Sequence, residues 1–396
     1  MGWRKFKADL IFTGTQTLPS ESVLVADENG VIHDLITIED AGEEIEIFKG
    51  LLVPGFINTH CHLELSHMKG KIPEHTGLVD FVFKVVTERG ASDEEIEEAI
   101  INAEEEMIDN GIVAVGDICN NISTIRQKAK GRLHYYNFIE ASGWLPAFSQ
   151  ARFERAKALF TAFADQLTTG KARADNSIVP HAPYSVSADL WQRIQPYFEN
   201  KVVSIHNQET AFEDEFFLSG TGDFQRMYQL MKIDNSHHEP TRKTSLQSYF
   251  HQLRKAERII LVHNTFTREE DIDFTGQQAT DDAPRIFFCL CVNANQYIER
   301  ALPPVDLLRK HNSQIVLGTD SLASNWSLNL LDEIKTIRKN FPHISIEEML
   351  GWATLNGAKA LAFEKHLGSF EKGKKPGAVL INETDLKVNK TFFANS

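Results

Sequence analysis

Residues 258–321 contain three short apolar runs, RIILVHNTF (258–266), RIFFCLCVN (285–293) and QIVLGTDS (314–321), separated by stretches that fit helices. Short, nearly continuous apolar runs are typical of strands buried on both faces of a parallel sheet. Five runs of the same kind precede them: LLVPGFINTH (51–60), GIVAVGDIC (111–119), LHYYNFIEA (133–141), SIVPHAPYS (177–185) and KVVSIHNQE (201–209). Eight buried strands that alternate with helices predict a (β/α)8 barrel, the TIM barrel. The alternative, an open doubly wound sheet, is disfavoured because no strand is followed by a glycine-rich dinucleotide-binding turn.

The two ends of the chain have a different pattern. VLVA (23–26), Asn29-Gly30 and VIHDLITI (31–38) predict a hairpin with a tight turn. Near the other end, several glycines and Pro376 precede the strand-like AVLI (378–381). Chain termini often lie close together. We therefore expect residues 1–53 and 364–396 to form one small β-sandwich-like domain beside a barrel of residues 54–363.

Local signals mark helix starts and one long connection. Ser92-x-x-Glu95 and Ser345-x-x-Glu348 are predicted capping boxes, in which each side chain caps the other's backbone amide. The segment 212–245 is long for a strand-to-helix connection and is rich in aromatic and acidic residues. Long connections on this face of a barrel are commonly lids or pocket walls, and either role is open for this segment.

Composition excludes several classes of partner. With 41 basic and 55 acidic residues among 396, the chain has a formal net charge of −14. A nucleic-acid polymer requires a basic face, so we expect none as a partner. The start, MGWRKFKADLIFTG, lacks the apolar core of a signal peptide, and no run reaches the roughly 18 apolar residues of a membrane span. We therefore expect a cytoplasmic protein with no membrane partner, while a homodimer is left open.

The residues that carry chemistry follow the strands. Active sites of such barrels lie at the carboxyl-terminal ends of the strands. Five histidines and one carboxylate are expected there: His60, His62, His181, His206, His263 and Asp320. His60 and His62 are two residues apart on one strand, so both rings point the same way. Three imidazoles and a carboxylate suit zinc, or a similar ion such as iron(II) or manganese(II).

Two further residues are candidates for proton transfer. Glu209 follows His206 by three residues, so a metal ligand and an acid/base group can project into the same cavity. His263 has two alternatives at this stage, a fourth metal-ligating imidazole or a proton-transfer group beside Asp320.

The order of several motifs resembles the amidohydrolase superfamily, in its cytosine, guanine and adenosyl-compound deaminase branch. The motifs are Pro54-Gly-Phe-Ile-Asn-Thr-His-Cys-His62, His206-Asn-Gln-Glu209, Leu261-Val-His263, Cys291-Val-Asn-Ala-Asn295, Leu317-Gly-Thr-Asp-Ser-Leu-Ala-Ser-Asn325 and Gly368-Ser-Phe-Glu-Lys-Gly373. The resemblance runs over almost the whole chain. It implies a hydrolase that acts on non-peptide C–N bonds.

The resemblance also implies roles for individual residues. One divalent ion per chain, zinc first, would be held by His60, His62, His206 and Asp320. Glu209, His263 and Asp320 would be the catalytic groups, and His181 of Pro180-His-Ala-Pro-Tyr184 would contact the substrate. No lysine stands at the end of the fourth strand, where two-metal members carry a bridging carbamylated lysine, so a mononuclear site is implied.

A finer likeness concerns the substrate. His62-Leu-Glu64-Leu-Ser66, followed by Gly77-Leu-Val-Asp-Phe-Val82, resembles the aminodeoxyfutalosine deaminases. This likeness implies a metal-dependent deaminase that releases ammonia from a purine-type ring of an adenine nucleoside. Glu64 would then face a sugar hydroxyl or a ring nitrogen. The alternatives are a guanine- or pterin-type deaminase, an enzyme that opens a cyclic amide or removes another ring substituent, and a non-catalytic relative.

Overall fold

The structure is a computed structural model that describes residues 2–167, 173–278 and 283–393. Its first seven strands are β1 (Trp3–Lys7), β2 (Leu10–Phe12), β3 (Thr17–Leu18), β4 (Ser22–Asp27), β5 (Ile32–Thr37), β6 (Ile45–Ile47) and β7 (Leu51–Pro54). Eight strands follow at the predicted runs: β8 (Phe56–Cys61), β9 (Ile112–Cys119), β10 (His134–Ala141), β11 (Arg173–Pro180), β12 (Val202–Asn207), β13 (Arg258–His263), β14 (Arg285–Leu290) and β15 (Gln314–Leu317). The last two are β16 (Ala378–Asn382) and β17 (Lys387–Phe392).

Strands β8–β15 close into the predicted barrel. They form two four-stranded parallel sheets, β11-β10-β9-β8 and β12-β13-β14-β15. At one seam the His206 amide donates to the His181 carbonyl at 3.0 Å. At the other, the amides of Thr319 and Asp320 donate to the His60 carbonyl at 3.0 and 3.1 Å. The prediction of a (β/α)8 barrel is confirmed, and both seams lie among the candidate site residues.

The first predicted barrel strand is in fact two strands that belong to different sheets. Residues 51–54 pair with β16 and β2, whereas residues 56–61 pair with β9 in the barrel. The chain crosses between the sheets at Gly55, where a Cβ atom would lie 2.4 Å from Val113 Cγ1 and 2.6 Å from the Pro376 carbonyl oxygen. An apolar run carries no signal for such a crossing, because both halves are buried.

The two ends of the chain form the predicted composite β structure. One sheet has the order β5-β4-β1-β6 and contains the predicted hairpin β4–β5. The other has the order β17-β16-β7-β2-β3 and joins both ends of the chain. Apolar side chains from both sheets share one core, among them Phe6, Leu24, Leu52, Leu380 and Phe392. The exact domain bounds remain a prediction, and residues 1 and 394–396 within them lie outside the described residues.

Fifteen α-helices are described, besides short 3-10 turns. They are α1 (Ile38–Ala41), α2 (Leu78–Glu88), α3 (Asp93–Asp109), α4 (Ile125–Lys128), α5 (Ser149–Leu167), α6 (Ala188–Ile194), α7 (Ala211–Ser219), α8 (Phe224–Leu230), α9 (Ser245–Tyr249), α10 (Glu269–Gln277), α11 (Val292–Glu299), α12 (Val305–Lys310), α13 (Leu330–Asn340), α14 (Ile346–Gly351) and α15 (Gly357–Ala360). A π-helical turn, Trp352–Asn356, joins the last two. Among the described residues, no helix has the length and apolar character needed to cross a bilayer.

The cap of α3 gives a test of local stability. Ser92 Oγ accepts from the Glu95 amide at 3.2 Å, and Glu95 Oε2 accepts from the Ser92 amide at 3.0 Å, so the predicted capping box is present. Loss of a serine cap costs about 1 kcal/mol. We expect Ser92→Ala to lower the urea midpoint of unfolding accordingly, with an unchanged m-value. Ser345→Ala is the matched comparison, because Ser345 Oγ also accepts from an amide, that of Glu348, at 3.2 Å. The reciprocal bond of a capping box is replaced there, since the Glu348 carboxylate binds Arg309. An unaltered midpoint for Ser92→Ala would contradict the assigned cap.

Candidate metal centre and active site

The two histidines of the first barrel strand lie side by side at its carboxyl end. His60 is in β8 and His62 follows it, and their ring centroids are 5.0 Å apart. His60 is completely buried and His62 is nearly so. The alternation of side chains along a strand places both rings on the same face, as predicted.

Asp320 meets both rings from the end of the eighth barrel strand. Its Oδ1 lies 3.4 Å from His60 Nε2 and 3.3 Å from His62 Nε2. Its other carboxylate oxygen accepts a short hydrogen bond from the Ser324 hydroxyl. The Asp320 backbone has φ 57°, a left-handed conformation that costs a non-glycine residue about 1–2 kcal/mol. The surrounding bonds at the barrel seam offset this cost and direct the carboxylate to the histidines.

A chain of hydrogen bonds sets the tautomer of His206. Asn295 Nδ2 donates to the His263 carbonyl at 3.4 Å, so Asn295 Oδ1 is the acceptor that lies 2.9 Å from His263 Nδ1. With its proton on Nδ1, His263 accepts at Nε2 from His206 Nδ1, 3.0 Å away. His206 therefore has a bare lone pair on Nε2, the form in which imidazole binds a metal.

Burial keeps the imidazoles neutral and leaves the carboxylate ionised. Burial lowers the pKa of His62 to about 3 and lowers the pKa values of His60 and His206. Burial by itself would raise the pKa of Asp320, but the neighbouring rings of His60, His62 and His263 outweigh it and hold this pKa below its usual range. Neutral imidazoles and an anionic carboxylate are the forms that a divalent cation requires.

The donor atoms fit a divalent ion. His60 Nδ1, His60 Nε2 and His206 Nε2 are buried and have no hydrogen-bond partner among the described residues. Such orphaned nitrogens are costly unless a ligand satisfies them. Nitrogen and oxygen atoms within 4.8 Å of one another form the groups His60–His62–Asp320 and His60–His206–His263. His60 belongs to both groups and thereby links the four predicted ligands.

Glu209 lies just beyond the fifth barrel strand and lines the same cavity as the histidines. Its Oε1 is 3.7 Å from His263 Nε2. Burial, followed by the charges of Asp320 and Glu299, raises the pKa of Glu209 well above its usual value. A carboxyl group that holds a proton at neutral pH can donate it to a substrate.

His181 and Glu64 also line this cavity, as expected for substrate contacts. The ring of His181 lies 4.9 Å from that of His206, and its Nδ1 is 2.8 Å from Ser185 Oγ. Glu64 Oε2 accepts from the amides of Asn120 and Asn121 at 2.9 and 3.2 Å. Burial raises the pKa of Glu64 to about 7. The geometry brings all eight predicted site residues to one rim, and their individual roles remain proposals.

The cavity is large, with a volume of about 760 Å³. Its lining is polar at the histidines, apolar along α2 and α8, and also includes four exposed cationic side chains: Arg89, Arg152, Arg155 and Lys232. The apolar part of the lining comes from α2 and from α8 with the residues after it: Leu78, Phe81, Val82, Val85, Met227, Leu230, Met231 and Ile233. The long 212–245 connection thus forms a pocket wall, one of the two roles that its length indicated.

Three residues of this site had no role in the sequence interpretation. Asn295 orients His263, Ser324 binds Asp320, and Glu140 at the end of β10 lines the cavity. Asn295 stands within a quoted motif and Ser324 follows Asp320 by four residues, but nothing local says which side chain each one meets. Glu140 occupies a strand end, the signal used for the histidines, and that signal could have identified it.

Known proteins resemble this chain in both sequence and structure. The amidohydrolase family matches residues 51–396. An adenosine deaminase of Helicobacter pylori is 26% identical over 93% of this chain and 89% of its own length. The crystal structure of Helicobacter pylori aminofutalosine deaminase with methylthio-coformycin superimposes with a TM-score of 0.82, at 22% identity and 98% coverage of both chains. An adenosine deaminase from Xanthomonas campestris with bound zinc superimposes with a TM-score of 0.70, at 19% identity, over 96% of this chain and 84% of that one.

The closed barrel, with imidazoles and a carboxylate gathered at its carboxyl-terminal rim, defines a hydrolase with a candidate metal site. The chain belongs to the amidohydrolase family. The sequence prediction of this family is confirmed.

Proposed function

We propose that this protein is a metal-dependent deaminase that hydrolyses the amino group of an adenine-type nucleoside. The observation that carries the proposal is one cavity that contains both a candidate metal cluster and a buried, protonatable carboxyl group, Glu209. The volume of about 760 Å³ is in the range of small-molecule sites and suits a nucleoside with a substituent. The deaminase activities in the names of the relatives support this choice.

His60, His62, His206 and Asp320 would hold one divalent ion, with zinc as the first candidate. This donor set, three imidazoles and one carboxylate, is of the kind that zinc binds in proteins. When bound, such an ion supplies Lewis acidity, which lowers the pKa of a coordinated water toward about 7.

The side chains of this chain supply the proton transfers. We assign the proton of the attacking water to the Asp320 carboxylate, which is ionised and faces His60 and His62. Glu209 donates its proton to a ring nitrogen and so makes the adjacent amine-bearing carbon electrophilic. His263 is the proposed second proton-transfer group; its Nε2 accepts from His206 Nδ1 and lies 3.7 Å from Glu209 Oε1. Of the two alternatives for His263, a fourth metal ligand or a proton-transfer group beside Asp320, we propose the second, because Asn295 and His206 already bind its two ring nitrogens.

Atoms, protons and electron pairs balance over the reaction. The water gives one proton to Asp320 and its oxygen adds to the ring carbon as a hydroxyl, while Glu209 protonates the ring nitrogen. The C–N bond then breaks with its electron pair on nitrogen, which takes the proton from Asp320 and leaves as ammonia. The hydroxyl proton returns to Glu209 as the ring carbonyl forms. Within the nucleoside class, we propose aminodeoxyfutalosine or a related 5′-substituted adenosine, because the apolar walls from α2 and α8 offer contacts for an aromatic or thioether 5′ group.

An ammonia-release screen of the zinc-loaded protein tests the proposal. The panel contains aminodeoxyfutalosine, adenosine, 5′-thioether adenosines, guanine, an aminopterin and cytosine, with a cyclic amide as the control for ring opening. We expect release from the adenine nucleosides and the highest kcat/KM where the 5′ group is apolar. Activity on guanine or the aminopterin alone would reject the nucleoside class, and ring opening without ammonia release would reject deamination.

A further inference from the structure

Glu140 is a carboxylate of the cavity that the proposed reaction leaves unused. It is the last residue but one of β10, and its side chain lines the cavity together with His181 and His206. Its Oε2 atom is buried and has no hydrogen-bond partner among the described residues. A buried carboxylate oxygen without a donor is costly, so this atom is suited to accept a hydrogen bond from a bound molecule.

His181 presents a second acceptor beside it. The Ser185 hydroxyl donates to the Ala182 carbonyl at 3.0 Å, so at its 2.8 Å contact with His181 it accepts the Nδ1 proton. A neutral His181 with its proton on Nδ1 has a lone pair on Nε2. Glu140 and His181, called here the acceptor pair, therefore present two hydrogen-bond acceptors to the cavity.

The spacing of the acceptor pair suits a group with two hydrogens. A carboxylate oxygen of Glu140 and ring nitrogens of His181 and His206 all lie within 4.8 Å of one another. An amino nitrogen that donates two hydrogen bonds of about 2.9 Å, in diverging directions, holds its acceptors about 4.5–5 Å apart, and a separation of up to 4.8 Å is compatible with this. His206 is a proposed metal ligand, so a group bound by the acceptor pair sits next to the reacting carbon.

We propose that Glu140 and His181 bind the amino group of the substrate that leaves as ammonia. The inference rests on the proposed deaminase function and gives a partner to the leaving amine, which that mechanism did not assign. Both hydrogens of the amine are held, which orients its lone pair toward the incoming proton. The ammonia formed when the C–N bond breaks leaves from the same two acceptors. Glu140 thereby determines specificity for an amine as the leaving group.

A second cation between the same three residues is the competing occupant. His206 can offer it little, because Nδ1 donates to His263 and Nε2 is the nitrogen assigned to the first ion. Only Glu140 and His181 would then remain as ligands, fewer than the three or four protein ligands usual for zinc. The acceptor pair is therefore better matched to an N–H donor.

The test compares two leaving groups in the zinc-loaded, full-length protein. Wild type and Glu140→Gln are assayed on adenosine and on 6-chloropurine riboside, which differ only in the group replaced by water. The variant puts an amide in place of the carboxylate. We expect it to lower kcat/KM for ammonia release about 10- to 100-fold and to leave chloride release within about twofold. Glu140→Ala is expected to give the same selective loss.

Each of the other outcomes would contradict one specific assignment. Equal losses on both substrates, or none on either, would remove the amine assignment. A loss that disappears with 2′,3′-dideoxyadenosine would transfer Glu140 to a sugar hydroxyl. Two ions per chain in wild type and one in Glu140→Gln would favour the second cation. A wild type that releases no ammonia from any adenine nucleoside would reject the proposed function itself, independently of Glu140.

Discussion

Glu209→Gln is expected to bind the metal as wild type does and to lose turnover about 100- to 10,000-fold. Glutamine has nearly the same shape, but it cannot donate a proton of suitable acidity to a ring nitrogen. The carboxyl group of Glu209 is buried, which raises its pKa, and it is not among the donor atoms that group around His60. The chemical step and metal binding should therefore separate in this variant.

The measurements are steady-state ammonia release and metal content by atomic absorption. Glu215→Gln is the matched control, because Glu215 lies on α7 beyond the same strand but is exposed and outside the cavity lining. We expect the control to retain the full rate. An unimpaired rate for Glu209→Gln would end the assignment of Glu209 as proton donor, and loss of the ion would place Glu209 among the ligands.

His60→Ala is expected to abolish both metal binding and catalysis. His60 belongs to both groups of candidate ligands, and both of its ring nitrogens are buried without a protein partner. Without this ring, the ligand pair His62–Asp320 and the ligand His206 no longer have a residue that belongs to both groups. Bound zinc should fall from about one ion per chain, the number expected for a mononuclear site, to well below that.

The readout for His60→Ala is the thermal stabilisation by added zinc, so that a change in basal stability does not confuse the result. A ligand at 100 times its Kd stabilises the folded state by about 2.7 kcal/mol. We expect wild type, stripped with a chelator and then titrated with zinc, to show a higher Tm that reflects this gain in folding free energy. His366→Ala, which removes an exposed imidazole, should behave as wild type. Undiminished zinc stabilisation of His60→Ala would contradict the proposed centre.

Most of the barrel could be predicted from the chain itself, because a buried strand and an amphipathic helix leave periodic patterns over a few residues. Each of the eight runs overlaps a barrel strand, and the family followed from motifs such as Pro54-Gly-Phe-Ile-Asn-Thr-His-Cys-His62. The convergence of His60, His206 and Asp320 was predictable as well. Parallel strands of a barrel end on one rim, so residues at strand ends meet there whatever their distance in sequence.

The rest depended on contacts between residues that are far apart in sequence. The split of the first run at Gly55 follows from pairing with β16, more than 300 residues away. The bare lone pair of His206 depends on His263 and Asn295. The open acceptor of Glu140 appears only when the strand ends are assembled around the cavity. Periodicity records whether a side chain is buried, whereas its hydrogen-bond partner is decided by packing among distant elements, and that partner sets the tautomer and the charge on which the chemistry depends.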